Sequence, residues 1–149
     1  MQIAVIGSGV ERAAEAEEVG RLLAERGCVI VCGGLGEVME AAARGAKEAG
    51  GTTVGVLPGE SARDANRWID YAVATGTGHA RNLAVVASCE AAIAVGGRWG
   101  TAAEISYARL LGRPVVVLGA GPRVGGEGIE HAETPAQAVE LVLGRLGAR

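Results

Sequence analysis

Hydrophobic residues occur along this chain in short, nearly uninterrupted runs, separated by longer segments in which they recur every three or four positions. A run of four to six apolar residues is typical of a strand covered on both faces, as in a parallel sheet. Recurrence at three and four is typical of an amphipathic helix. We predict six strands, at residues 2–6, 28–32, 52–57, 69–74, 91–95 and 114–118.

Helices are predicted in the segments between and after these strands. The last helix has the clearest start, because Thr134 is followed by Pro135 at the first helical position and by Gln137 three residues after the cap, a capping box. Residues 60–67 and 120–128 show neither periodicity and are predicted to be loops. The predicted helices span residues 11–26, 35–49, 79–88, about 101–112 and 135–146.

Strands and helices that alternate in this way predict an α/β fold in which a mainly parallel sheet lies between two helix layers. A length of 149 residues is that of one domain. We therefore predict a single-domain, Rossmann-like three-layer sandwich over residues 1–149, with a sheet of six or seven strands. Ligands of such sheets bind outside the carboxyl ends of the strands, where the strand order reverses.

The net charge and the distribution of apolar residues argue against two kinds of partner, nucleic acid and a membrane. The net charge is −3, whereas a nucleic-acid-binding domain normally carries a basic surface, so nucleic acid is disfavoured as a partner. No run approaches the roughly 18 apolar residues of a membrane span, and no charged-then-apolar leader opens the chain. We expect a cytoplasmic protein without a membrane partner.

The cysteines and histidines do not predict a metal site. Cys28, Cys32 and Cys89 lack a C-x-x-C spacing, and His79 and His131 are isolated from each other in sequence. We expect the three cysteines to be reduced and buried.

Three glycine turns follow predicted strands, at residues 7–9, 33–34 and 96–97. Glycine lets the backbone approach a ligand closely, and a helix start presents free N–H groups to an anion. The third turn leads to Thr101, which can cap the helix or hydrogen-bond an oxyanion. The alternative, that the glycines serve only tight turns, stays open. The residues predicted to bind a phosphate here are Gly7, Ser8, Gly33, Gly34, Gly96, Gly97, Gly100 and Thr101.

Charged and polar side chains are expected at the same crevice. Arg81 and Asn82 begin the helix after a Gly-Thr-Gly turn, where Arg81 can bind a phosphate or carboxylate in bidentate fashion. Glu104 lies one turn beyond Thr101 and can act as a general acid or base or bind a ribose hydroxyl. The alternatives are a solvated helix-start arginine and a carboxylate that stabilises the first helical turn.

Two common nucleotide-binding motifs are missing, and two bulky residues are unusual for a glycine turn. Neither G-x-G-x-x-G followed by an acidic residue nor G-x-x-x-x-G-K-[ST] occurs, which disfavours a dinucleotide dehydrogenase and a P-loop NTPase. Arg98 and Trp99 are expected to flank or partly cover the ligand, with Arg98 contacting it.

Four segments carry a resemblance to a known superfamily: residues 31–39, 50–58 and 97–104, together with the pair Arg81-Asn82. They are similar to the superfamily that contains the Lonely Guy phosphoribohydrolases, many of them labelled lysine decarboxylases. It also contains the molybdenum cofactor carrier proteins and the nucleotide-binding domains related to DprA/Smf. The resemblance covers nearly the whole chain.

The resemblance implies two functions. In the hydrolase branch an arginine and the glutamate of Pro-Gly-Gly-x-Gly-Thr-x-x-Glu are catalytic, which assigns those roles to Arg81 and Glu104. Gly96 replaces the proline of that motif, Arg98 its second glycine, and Asn82 the lysine after the arginine. These departures are closer to the carrier-type branch, which binds a phosphorylated ligand.

Our first hypothesis is therefore binding of a nucleotide or a phosphorylated cofactor, with a molybdopterin-type ligand as one candidate. The alternative is cleavage of the N-glycosidic bond of a nucleoside 5′-monophosphate. Proteins of this superfamily assemble through helices beside the site, so the resemblance also implies a homodimer or homotetramer.

Overall fold

A computed structural model describes residues 1–147 of the chain. Its seven strands form one sheet in which every neighbouring pair is parallel. The strands are β1 (Gln2–Ser8), β2 (Val29–Cys32), β3 (Thr53–Leu57), β4 (Tyr71–Ala74), β5 (Ala91–Gly96), β6 (Val115–Leu118) and β7 (Ile129–Ala132). They lie in the order β4-β3-β2-β1-β5-β6-β7, so the order reverses beside β1, between β2 and β5.

Five α-helices cover the two faces of the sheet. The first, second and fifth pack on one face, and the third and fourth on the other. Short 3-10 turns lie at Ala62–Asp64 and Gly78–Ala80. The helices are α1 (Ala13–Glu25), α2 (Val38–Glu48), α3 (Arg81–Ala87), α4 (Trp99–Leu110) and α5 (Pro135–Gly147).

The central strand β1 shows why its apolar run is uninterrupted. Ile3 and Val5 pack into the core under α1, α2 and α5, whereas Ala4 and Ile6 pack into the core under α3 and α4. All four are at most 2% exposed. A strand buried on both faces needs apolar residues at every position rather than at every second one.

The predicted three-layer α/β sandwich is confirmed, with seven strands in a parallel sheet. Several element ends coincide with the predictions, and the others differ by one to three residues. The predicted cap of the last helix is confirmed, because Gln137 N donates to Thr134 Oγ1 at 3.2 Å. Strand β7 lies outside the six predicted segments, since at the edge of the sheet only one of its four residues is buried and the apolar run is lost.

Helix α4 begins at Trp99, two residues before the predicted start near Thr101, so the predicted capping role of Thr101 is wrong. Gly96 and Gly97 both have positive φ, 62° and 102°, which completes the turn early, and the helix begins at Trp99 after the cap residue Arg98. Thr101 is therefore a buried residue of the first turn and not the cap.

Helices α1 and α2 touch through their backbones. A Cβ added to Gly20 of α1 would lie 2.0 Å from the carbonyl oxygen of Ala42, and one added to Gly45 of α2 would lie 1.9 Å from that of Glu17. Neither position accepts a side chain unless the helices separate. The glycines therefore set the spacing of this helix pair, which begins directly after the first two glycine turns.

We expect Gly45→Ala to destabilise the protein by about 1–3 kcal/mol, since the added methyl group meets backbone atoms that cannot rotate away. Helix propensity alone would give the opposite sign, a gain of up to about 1 kcal/mol. Urea denaturation of both proteins measures the difference. The matched control is Gly144→Ala in α5, where nothing lies within 4 Å of the added Cβ and a small gain is expected. A Gly45→Ala protein as stable as wild type would contradict the contact.

Candidate functional site

A cavity of about 160 Å³ opens at the carboxyl end of β1, beside the point where the strand order reverses. This is where open parallel α/β sheets bind ligands. Eight of the twelve predicted site residues line it, namely Gly7, Ser8, Gly33, Arg81, Asn82, Gly100, Thr101 and Glu104. Residues distant in sequence thus meet around one space.

The floor of the cavity depends on a close contact between β1 and β5. Gly7 has φ 145°, and a Cβ added to it would lie 1.9 Å from the carbonyl oxygen of Val95. Only glycine permits this approach of the two strand ends.

Arg81 is the first residue of α3 and points toward Gly33 in the second glycine turn. A Cβ on Gly33 would lie 2.1 Å from Nη1 of Arg81, so the missing side chain provides the space for the guanidinium. The Nε of Arg81 is buried and has no hydrogen-bond partner within residues 1–147. Burial lowers the pKa of Arg81, and the nearby Glu104 opposes that shift. The site thus holds a partly desolvated cation with unused donor capacity.

Glu104 of α4 is only 7% exposed, although it borders the same cavity. Burial raises the pKa of its carboxyl to about 7, against the opposing effect of Arg81. No salt bridge within 4.0 Å joins Arg81 and Glu104 in the described part of the chain. The two groups affect each other's pKa without forming a direct ion pair, and both line the cavity.

Two buried polar side chains complete the wall at the start of α4. Thr101 is 3% exposed, and its Oγ1 would lie 2.1 Å from a Cβ on Gly97. Asn82 is 8% exposed, and its Nδ2 would lie 3.7 Å from a Cβ on Gly100. A hydroxyl and an amide thus stand beside the free N–H groups of the helix start.

Four predicted site residues do not line the cavity. Gly34 packs against Leu57 of β3, Gly96 lies against the Ser8 backbone, and Gly97 lies beneath Thr101. These three glycines therefore contribute to the packing of the turns. Arg98 is exposed and lines a separate groove at the start of α4, next to Trp99.

The predicted site residues did not include four residues that line the cavity, namely Val5 and Ile6 of β1, Met39 and His79. His79 lies in the 3-10 turn before α3, where it is exposed and borders the cavity. Met39 of α2 places its Sδ beside Gly33, 2.5 Å from an added Cβ. The only signals in the sequence for His79 and Met39 are their positions, near Arg81 and after the second glycine turn respectively.

Glu37 joins the first two glycine turns. The Gly9 N–H donates to its Oε2 at 2.5 Å. Glu37 has φ 58°, and within residues 1–147 it is the one non-glycine residue with positive φ. Such a conformation costs of the order of 1 kcal/mol or more, so the surrounding contacts hold this carboxylate in place.

A parallel α/β sheet with a polar cavity at its switch point defines a Rossmann-like domain of the ligand-binding class. Comparison of the sequence with family models narrows this class. The chain belongs to the SLOG cluster4 family, whose model matches residues 1–143.

Relatives and solved structures agree with this assignment. An uncharacterised protein of Archaeoglobus fulgidus is 46% identical over 146 residues, 96% of this chain and 95% of that protein. The molybdenum cofactor binding protein of Rippkaea orientalis has a TM-score of 0.91 at 31% identity, covering 97% of this chain and 96% of that one. The molybdenum cofactor carrier protein of Chlamydomonas reinhardtii has a TM-score of 0.88 at 34% identity, covering 99% of both chains. The predicted resemblance to the carrier branch is confirmed.

A more distant likeness concerns the fold alone. The DNA processing protein A of Helicobacter pylori, which binds single-stranded DNA, has a TM-score of 0.72 at 18% identity, covering 97% of this chain and 81% of that one. The absence of a nucleic-acid partner stays a prediction for this chain. In the part of the chain described, no helix has both the length and the apolar character needed to cross a membrane.

The buried Glu104 predicts a pH-dependent stability. Its pKa in the folded state, about 7, lies above the ordinary value of 4.5, so the folded protein binds more protons between these values and loses stability as the pH rises through them. The loss is roughly 3 kcal/mol when complete. We expect Glu104→Gln to match wild type near pH 4 and to be the more stable protein at pH 8, in urea denaturation at each pH.

The control for this experiment is Glu130→Gln. Arg145 lowers the pKa of Glu130 through a hydrogen bond, so this variant loses an exposed ion pair and gains nothing at pH 8. A Glu104→Gln protein whose stability parallels that of wild type at every pH would show that Glu104 is not desolvated.

Proposed function

We propose that this protein binds the phosphate group of a nucleotide or of a phosphorylated cofactor in the cavity between the glycine turns and α4. Arg81 is the main cationic partner of the phosphate. The backbone N–H groups of Gly7, Ser8 and Gly100 and the Thr101 hydroxyl supply further hydrogen bonds. Asn82 orients the ligand from the start of α3.

The half-buried guanidinium of Arg81, whose Nε is buried and has no hydrogen-bond partner within residues 1–147, is the observation that carries this proposal. A cation without a protein partner is costly to bury, and a bound dianion offsets that cost through charge-assisted hydrogen bonds. The start of α4 borders the same space, and the positive end of its dipole favours an anion.

Similarity to proteins that bind molybdenum cofactor supports a ligand of molybdopterin type as one candidate. This cofactor combines a pterin ring system with a phosphate, and a nucleoside monophosphate combines a purine with the same group. Both classes therefore fit a site built around one phosphate.

We expect Arg81→Met to weaken binding of AMP or GMP by about 10- to 100-fold, since a hydrogen bond to a charged group contributes roughly 1.5–3 kcal/mol. Methionine keeps the apolar stem and removes the charge. Isothermal titration calorimetry measures the affinity. The matched control is Arg67→Met, whose guanidinium stacks on Trp68 away from the cavity. Equal affinity in Arg81→Met and wild type would exclude Arg81 as the phosphate partner.

A second candidate function is hydrolysis of the N-glycosidic bond of a nucleoside 5′-monophosphate. The raised pKa of Glu104, about 7, favours it, because a carboxyl that titrates near neutral pH can donate or accept a proton at a sugar. Arg81 would hold the phosphate, and the Glu104 carboxylate would stabilise positive charge on the ribose or position water.

Incubation with AMP distinguishes the two functions. A hydrolase releases free adenine, detected by chromatography, and Glu104→Gln abolishes the release. A binding protein returns intact AMP from the same incubation. Release that persists unchanged in Glu104→Gln would remove Glu104 from the reaction.

We further propose that the protein is a homodimer or homotetramer. Helices α3 and α4 flank the cavity and expose the apolar side chains of Leu83, Tyr107, Leu110 and Leu111. A second copy covering these residues would remove that apolar surface from water. Light scattering that finds only the monomer mass would contradict this assembly.

A further inference from the structure

A groove lies next to the cavity at the start of α4. Its volume is about 380 Å³. Its walls come from α4 and from the loop between β6 and β7. The lining residues are Arg98, Trp99, Ala102, Pro122, Arg123 and Val124. Trp99 is followed directly by Gly100 and Thr101, which line the cavity, so one helical turn forms a wall of both spaces.

The indole of Trp99 is 90% exposed. The other tryptophan differs, because the Arg67 guanidinium lies 4.5 Å from the centroid of the Trp68 ring and covers it. An exposed indole contributes little to the folded core. Trp99 therefore presents a large flat surface to whatever enters the groove.

The wall opposite Trp99 is fixed by contacts with the sheet. A Cβ on Gly121 would lie 3.3 Å from the carbonyl oxygen of Gly96 and 3.1 Å from Cγ1 of Val117, so the loop passes closely over the end of β5. Val124 packs against the core under α3 and α4, and its N–H donates to the Pro122 carbonyl at 2.8 Å. The groove is thus part of the folded structure.

The charge of the groove is positive. Arg98 and Arg123 are both exposed, and none of the described residues that line the groove is acidic. Guanidinium groups stack on planar rings and pair with anionic oxygens. The chemistry of the groove therefore suits a planar ring that carries oxygen or anionic substituents.

The size of the cavity also indicates a ligand that extends beyond it. At about 160 Å³ it is smaller than the roughly 300–1,000 Å³ of a pocket that holds a whole small molecule. A phosphate and the adjoining part of a ligand fill it, and the remainder has to extend past the first turn of α4. The groove adjoins the cavity at that turn, because Trp99 lines the groove and Gly100 lines the cavity.

We propose that the groove is a ring subsite, in which a planar fused heterocycle, purine or pterin, stacks on Trp99 while its phosphate lies in the cavity. Arg98 and Arg123 bind the polar edge of the ring or a second anionic group. This inference rests on the proposed phosphate site.

The test compares ligands with and without a ring. Titration calorimetry with GMP, a pterin monophosphate and ribose 5-phosphate is carried out on wild type and on Trp99→Ala. We expect Trp99→Ala to weaken the ring-bearing ligands about tenfold or more and to leave ribose 5-phosphate unchanged, since stacking acts only on the ring. The larger loss identifies purine or pterin as the preferred ring. Tyr71→Ala, which removes an aromatic ring 66% exposed on β4, is the matched control and should change nothing.

A second measurement uses the emission of Trp99 in a Trp68→Phe background. Stacking predicts quenching by GMP or the pterin monophosphate and none by ribose 5-phosphate. Equal losses for all three ligands in Trp99→Ala, or no loss for any, overturn the ring subsite but leave the phosphate site standing. A dimer that dissociates in Trp99→Ala while ring binding persists shows an interface between copies and also overturns it. Failure of all three ligands to bind wild type overturns the phosphate site as well.

Discussion

The carboxyl ends of the central strands lie in close backbone contact, and the cavity opens at this edge of the sheet. β1 and β5 approach each other at Gly7, where a methyl group would overlap the carbonyl oxygen of Val95. A larger residue would force the strands apart at the place where the sheet order reverses. The second turn uses a missing side chain differently, since Gly33 leaves room for the guanidinium of Arg81. The missing side chains of Gly7 and Gly33 thus determine the shape of the cavity.

The two ionisable groups of the cavity respond to each other and to a ligand. Desolvation favours the neutral form of Glu104, whereas Arg81 favours its carboxylate. A phosphate dianion placed at Arg81 offsets the arginine charge and repels the carboxylate, so it raises the pKa of Glu104 further. In the proposed complex, protonation of Glu104 would by linkage strengthen phosphate binding, so affinity would fall as the pH rises above about 7. A carboxyl in this position makes affinity depend on pH whether or not a reaction follows.

Much of the fold and eight of the twelve residues that line the cavity could be predicted from the sequence. Apolar runs such as 2–6 identify strands buried on both faces, and the glycine turns after them locate the carboxyl edge of the sheet. Arg81 and Glu104 follow from their places at helix starts. Side chains that reach the cavity from a neighbouring turn, as His79 does, have no local pattern. The start of α4 was misplaced because two consecutive glycines with positive φ allow several ways of entering a helix. In the sequence, Gly20 and Gly45 are simply weak helix formers inside predicted helices. Their role is visible only in the structure, where they allow α1 and α2 to pack closely together.

The pairing of β1 with β5 also determines when during folding the cavity comes into existence. Ile3 is in register with Ala91, a partner far along the chain, whereas β1 meets β2 through Val29 within the first βαβ unit. Contacts between distant residues carry the larger loop-closure cost and tend to form late. The parts of the chain that form the two sides of the crevice therefore stay apart until β5 pairs with β1. A nascent chain in which β5 has not yet been synthesised has no site. A ligand that binds there stabilises the complete sheet relative to partly folded forms. Its binding free energy therefore favours the β1–β5 pairing that completes the fold.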